Sequence, residues 1–394
     1  MRRVVSVHKL SNSFVCLMIV CYLIGESYQN FRCKAMLLKN KKFTKAIKYI
    51  VFLAVIGAGV FVYNNQLAKE DQGQEINSLC QKDQVTDSLV RLLGLVGIRI
   101  QNDILTPEPD WPEARLTVSS RSLEEITQVI QGKKDPGITW IIQGERWQTK
   151  GLGYLTLTSE QAAAVLNFIS KDLGLGQAMR PKQKEYAGVL FLGSTLKNVR
   201  DRLKFLNACL EQHNFVFNRI YILTGIRPLD PTVGETPESL VDPKGIIAVR
   251  SDWKQPAGAL PNDEGPMIQW VFDQSRSNAI GKDQVTVIYA GIGEGRKRAT
   301  TKTTVEEWLK TNPKDGLYLA VSSQPFNFYQ KLVIERTLLE NKRPGIHIEV
   351  IGDAAGEQSY GLNKANPDDL NKYAAIALDN IARTCYELVS IQGY

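Results

Sequence analysis

The chain has 394 residues, 43% of them hydrophobic and 23% charged, with a formal net charge of +7. This is the composition of a folded protein and excludes a disordered polar chain. Much of the positive excess lies early, in Arg2, Arg3, Lys9, Arg32, Lys34, Lys39, Lys41, Lys42, Lys45 and Lys48. It therefore does not form the basic face with which a nucleic-acid binder neutralises phosphates, and no nucleic-acid partner is expected.

In chain order, the first strong signal is the apolar run Ile47–Tyr63, IKYIVFLAVIGAGVFVY. At about 1.5 Å rise per residue it reaches most of a bilayer core of roughly 30 Å, so a single transmembrane anchor is predicted there. Lys48 can snorkel to the interface. The basic residues 1–46 mark the cytoplasmic side, which places the rest of the chain outside the cytoplasm, in a periplasm if the cell is bacterial. No small-residue cleavage site follows the run, so it is expected to be retained. The shorter run Phe14–Gly25 is open to three readings: a signal-peptide core, a second span, or untranslated text. The layout starting at Met36 favours the last, with 1–35 not translated; Met1 and Met36 both stay open as starts.

Residues 74–184 read as a small α+β lobe. A helix is predicted at Val85–Leu95, a strand at Gly137–Gln143, and a helix at Thr158–Asp172 whose Ser159-Glu160 start resembles a cap. The prolines of Thr106–Pro112 make a loop. From 185 to 394 short apolar runs alternate with amphipathic segments. Strands are predicted at Ala187–Gly193, Arg219–Gly225, Val285–Ala290, Gly316–Ser322 and Ile346–Ile351. Helices are predicted at Leu196–Glu211, Glu264–Gln274, Thr304–Thr311, Phe326–Asn341 and about Pro367–Val389, and a Pro-rich excursion fills Pro228–Pro261. Near-continuous apolar strands separated by helices specify a mainly parallel sheet covered on both faces, an α/β Rossmann-like sandwich.

In such sheets a ligand lies beyond the carboxyl ends of the strands. Those ends carry Gly193-Ser194, Thr224-Gly225, Gly291 to Gly295, Ser322-Ser323 and Gly352-Asp353. Small and hydroxylated residues there let backbone N–H groups approach an anion at a helix N-terminus. Arg200, Arg202, Arg227 and Arg296-Lys297-Arg298 can balance its charge. Thr301, Thr303 and Thr304 can serve as helix caps or ligand contacts.

Other chemistries lack their residues. The glycines at 291, 293 and 295 do not make a dinucleotide fingerprint, and no phosphate-loop, nucleophile-elbow or HExxH pattern occurs. The three histidines, His8, His213 and His347, stand singly. Six cysteines are scattered without metal spacing or a disulfide framework, so no metal is expected and the cofactor is left open. Glu264, opening a helix after a long loop, is the candidate catalytic carboxylate, with Asp353 second.

Leu192-Gly193 followed by Arg200 and Arg202, Leu223-Thr224-Gly225, Glu264 with Met267, Thr301-Lys302-Thr303-Thr304 and Val321-Ser322-Ser323-Gln324 together resemble the YdcF/SanA/ElyC-like family over about Ala187–Asp353. The resemblance implies an α/β domain of the cell envelope, linked to cell-wall precursor or permeability-barrier homeostasis and to small-ligand binding. Where that family often has an aromatic, His and Arg after the fourth strand, this chain has Phe326, Asn327 and Gln330, which puts an acid/base role there in doubt. The expected function is binding or processing of an anionic, phosphate-containing or lipid-linked envelope compound by a membrane-anchored protein. The expected ligand contacts are Gly193, Ser194, Arg200, Arg202, Thr224, Gly225, Arg227, Thr301, Thr304, Ser322, Ser323 and Asn327. The alternatives are a non-catalytic ligand-binding or scaffolding module with a protein partner still to be named, and a nucleotide or S-adenosylmethionine binder.

Overall fold

The five apolar runs after residue 185 pair side by side, all parallel, into one sheet. They are β1 (Gly188–Leu192), β2 (Ile220–Gly225), β3 (Val285–Ala290), β4 (Gly316–Val321) and β5 (Ile346–Ile351), in the spatial order β5-β4-β1-β2-β3. The architecture comes from a computed structural model that describes residues 78–81, 83–101, 103, 114–144, 146, 149–292, 298–354 and 367–394, all within the unit Gly73–Tyr394. The predicted anchor Ile47–Tyr63 and everything before it lie outside the described residues. Among those described, no helix is long and apolar enough to cross a membrane.

Among the described residues the helices of eight residues or more are α1 (Asp87–Leu95), α2 (Leu123–Ile130), α3 (Ser159–Lys171), α4 (Leu196–His213), α5 (Glu264–Ser275), α6 (Thr301–Leu309), α7 (Asn327–Glu340) and α8 (Pro367–Gln392). Successive strand residues point to opposite faces, and both faces are apolar. Val189 and Phe191 of β1 join Ile222, Leu319 and Val321 beneath α4 and α5, whereas Leu190 and Leu192 join Tyr318, Ala320 and Val350 beneath α6 and α7. On the first face Phe191 meets Phe272 of α5 edge-on, ring centroids 4.8 Å apart, a geometry worth about 0.5–1.5 kcal/mol beyond burial. The result is a mixed α/β fold with a covered parallel sheet.

The strand order sets the site. After β3 the chain crosses back to pair β4 with the free edge of β1, so β1 lies between strands reached by opposite routes. That reversal opens a crevice at the carboxyl ends of β1 and β4. Register aligns Val321 with Phe191 and Ile351, and Leu192 with Leu223, so the strand ends are flush.

The lobe is held by its own core, built from α1, α2, α3 and α8. The last helix presents Ala374, Ala377, Leu378, Ile381, Cys385 and Leu388 at helical spacing to that core, where Phe328 and Leu332 of α7 join it. In space α8 therefore completes the lobe, although it follows the sheet in sequence. Its buried Asp379 accepts from Ile142 N at 2.9 Å and pairs with Arg146 at 2.7 Å and Arg383 at 3.0 Å.

Three local expectations are corrected. Gly137–Gln143 is no strand: only Thr139 bridges, to Gln131, and the backbone hydrogen bonds of Trp140 and Ile142 go to Ile130 O and Asp379. The alternation of buried Ile138, Trp140 and Ile142 reflects an extended segment lying on the lobe core. The start of α3 is capped by Thr158, which forms a capping box with Gln161. Helix α6 starts three residues before the predicted Thr304, because Thr300 accepts from Thr303 N. Cys80, Cys209 and Cys385 are buried and unbonded to one another, and burial pushes each thiol pKa up.

Candidate functional site

Glu264 begins α5, and its backbone is fixed by Glu264 N donating to Arg227 O at 2.9 Å. One carboxylate oxygen accepts from Arg227 Nε at 3.1 Å, and the other lies against Gly193. A side chain at Gly193 would strike that carboxylate and come within 3.0 Å of Leu223 O. The glycine at the end of β1 is thus what lets Glu264 sit over the strand ends. Burial pushes the Glu264 pKa up, and the charges of Arg227 and Arg298 pull it part of the way back. Burial is the largest of these effects, so the net direction is upward.

Both terminal nitrogens of Arg227 go to Glu235, Nη1 to Oε2 at 2.7 Å and Nη2 to Oε1 at 2.8 Å, leaving only Nε for Glu264. Burial opposes the Arg227 charge, but the Glu235 hydrogen bonds and the charge of Glu264 outweigh it and push its pKa up. Glu235 comes from the Pro-rich excursion and was not foreseen. Its side chain is fully buried, accepts from Asp230 N at 2.7 Å and from Leu196 N at 3.0 Å, and so caps α4. The helix N-terminus after β1, where a dinucleotide would place its pyrophosphate, is filled by this carboxylate. No helical or strand period marks Glu235, since its partners lie 5, 8 and 39 residues away.

Arg202 of α4 reaches back across the reversal between β1 and β4. Its Nη1 donates to Leu192 O at 2.7 Å and Gly193 O at 3.0 Å, and Nη2 donates to Ser323 Oγ at 3.1 Å. Burial pushes its pKa down to about 10, against the opposing pull of Glu264. Arg200 lies elsewhere. Its Nη2 donates to Leu240 O at 3.1 Å beneath the short helix Pro237–Val241, and burial pushes its pKa down to about 10.

The other expected contacts divide. Ser194 Oγ accepts from Asn198 at 3.2 Å, Thr224 Oγ1 donates to Gly225 O at 3.2 Å, and Gly225 packs on Ala299. Thr301 donates to Gln330 of α7 at 2.6 Å, and Thr304 donates to Thr301 O at 2.9 Å, so both serve the helices. Ser322, Gln324 and Asn327 at the β4–α7 turn are buried, and Ser322 Oγ, Gln324 Oε1 and both amide atoms of Asn327 have no hydrogen-bond partner among the described residues. Asp353 is exposed and accepts from Ala354 N. Gly193, Arg202, Thr224, Gly225, Arg227, Glu264, Ser322, Ser323 and Asn327 are the residues gathered at or beside the carboxyl ends of β1, β2 and β4.

Among the described residues no group of His, Cys, Asp and Glu has the arrangement to hold a metal. The gathered set offers one carboxyl group raised by burial, a guanidinium held by carbonyls and a serine, and a neutral polar turn. Such a set can bind an oxyanion and move a proton at Glu264. Compared with protein-family models, curated proteins and solved structures, the chain gives no match.

Proposed function

We propose that this chain is a membrane-anchored protein of the YdcF/SanA/ElyC-like kind, whose crevice binds an anionic, phosphate-containing compound and processes it through Glu264. The observation that carries the reading is the seat of Glu264: a carboxyl group raised by burial, laid over Gly193 beside the topological reversal. A group poised in this way exchanges a proton with a ligand more readily than an exposed, fully ionised carboxylate. In this reading Arg202 and Arg298 supply positive field, Arg227 orients Glu264, and the apolar run Ile47–Tyr63 keeps the crevice near a membrane that presents lipid-linked substrates.

Binding without turnover is the second reading, favoured by the engagement of Arg227 with Glu235. A nucleotide or S-adenosylmethionine ligand fits less well, because Glu235 occupies the helix terminus that its phosphate or carboxylate would use. The test is a thermal-shift panel on the purified full-length chain in detergent, with pyrophosphate, nucleotides, S-adenosylmethionine and short-chain polyprenyl phosphates. A ligand at 100 times its Kd adds about 2.7 kcal/mol. Stabilisation by phosphate compounds, with any turnover abolished by Glu264→Gln, is the expected result. Stabilisation without turnover selects the binding reading, and no stabilisation by any phosphate compound rejects both.

A further inference from the structure

We infer that the N-terminus of α7, with the β4–α7 turn, is a seat for a phosphate group that carries a proton, and that it discriminates phosphate from sulfate. The inference rests on the phosphate reading above and adds where the group sits and how it is recognised.

Elimination among α4, α5, α6 and α7, the helices that cover the sheet, gives the place. The N-terminus of α4 is taken by Glu235, that of α5 by Asp263 Oδ1, which accepts from Gly265 N at 3.2 Å, and that of α6 by Thr300. Helix α7 has 14 residues, and its N-cap, Phe326, has no side-chain acceptor for the first-turn N–H groups. Those groups and the dipole favour an anion. Charge comes from Arg202, whose guanidinium is bonded to Ser323 and to carbonyls, with no carboxylate in contact among the described residues.

An independent observation points to a ligand. Asn327, the first residue of α7, has 0% exposure, and neither its Nδ2 nor its Oδ1 has a partner among the described residues. Ser322 Oγ is likewise buried and unpartnered among them. Leaving such a group unmade costs about 1–3 kcal/mol. Asn327 Nδ2 and the Ser322 hydroxyl are donors suited to oxyanion oxygens.

Two further orphans are acceptors whose orientation is fixed. Gln324 donates through Nε2 to Gln177 O at 2.8 Å, and Asn380 of α8 donates through Nδ2 to Pro325 O at 2.8 Å. Their carbonyl oxygens, Gln324 Oε1 and Asn380 Oδ1, are buried without a donor among the described residues. Donors alone would suit any oxyanion. Here Ser322, Gln324 and Asn327 share one turn, which Asn380 joins through Pro325 O, and the Asn327 amide packs against Gly352 at the end of β5. Donors and fixed acceptors carried on one turn suit an anion that also donates: near neutral pH inorganic phosphate carries a proton to give, and sulfate does not.

The test is calorimetric titration of the full-length chain in detergent, in buffer free of both ions, with inorganic phosphate and with sulfate at matched ionic strength. Phosphate should bind at least about tenfold more tightly than sulfate, the equivalent of one hydrogen bond. Asn327→Leu should abolish phosphate binding with the melting temperature unchanged or raised, and Ser322→Ala, a smaller change, should weaken it severalfold. Equal affinity for the two ions, or unchanged phosphate binding in both variants, overturns the inference. If pyrophosphate or polyprenyl phosphates bind while inorganic phosphate does not, the seat is wrong and the functional reading stands. If none binds, both fail.

Discussion

The two sides of the reversal in the sheet are made from similar residues and end in opposite states. Beside β2, Glu235, Arg227 and Glu264 form a chain of charges in which both nitrogens of the Arg227 fork and both oxygens of Glu235 are answered, over distances of 2.7–3.1 Å. Beside β4, Ser322, Gln324 and Asn327 are uncharged, equally buried, and carry atoms with no partner among the described residues. A satisfied buried ion pair positions the chain, here tying the Pro-rich excursion to α4 and α5. Unsatisfied neutral groups cost about 1–3 kcal/mol each, which a ligand that completes them would recover. In the function proposed above, the first side is scaffold for Glu264 and the second is where the ligand is recognised.

The strongest way to break this contrast is Arg227→Leu. It strands Glu235 as a buried carboxylate and frees Glu264, so a loss of about 3–5 kcal/mol is expected from urea unfolding of the full-length chain. A loss under about 1 kcal/mol would mean that the charge chain is not structural. Gly193→Ala comes next, because the new methyl must displace the Glu264 carboxylate and approach Leu223 O. An overpacking cost of about 1–3 kcal/mol is expected, with any Glu264-dependent turnover lost. A variant as stable and active as the parent would show that Glu264 does not need its seat over β1.

On the other side the sign reverses. Asn327→Leu replaces two unpartnered polar atoms by methyl groups on the same branched skeleton, so the unliganded protein should change by less than about 1 kcal/mol, or gain that much. Denaturation in phosphate-free buffer checks it. A loss above about 2 kcal/mol would show that Asn327 is structural, and the contrast would fail.

How much of this was legible depends on range. The five strands fall within a residue of the predicted runs, because strands buried on both faces must be apolar throughout, as Val189 to Leu192 are. The positions of Gly193, Arg227, Glu264 and Asn327 were also readable, since each lies at or near a strand end or helix start. The strand order was not, because it depends on which edge of β1 receives β4, a choice no local pattern records. Glu235 was hidden for the same reason: it acts through residues on other elements. Arg200 and Arg202 show the limit most clearly. Two residues apart on one helix, one faces the excursion through Leu240 O and the other the crevice through Ser323, and the 3.6-residue period gives the angle between them without naming either neighbour.

The smallest effect expected concerns the protonation of Glu264. Its pKa is raised by burial, so the native state holds this proton more firmly than the unfolded chain, whose glutamates titrate near about 4.3. Stability then falls as pH rises through the unfolded value and up to the raised folded value, and above that the penalty is complete. The Glu264→Gln variant has no such proton to lose. The difference in unfolding free energy, variant minus parent, should therefore become more favourable to the variant from pH 4 to pH 7, whatever constant offset the lost Arg227 pair introduces. Parallel urea titrations across that range read the slope directly. A slope of the opposite sign would mean that Arg227 stabilises an ionised Glu264 more than burial penalises it. The carboxyl group would then belong with Glu235 as scaffold, and the proton chemistry proposed for the crevice would have lost its donor.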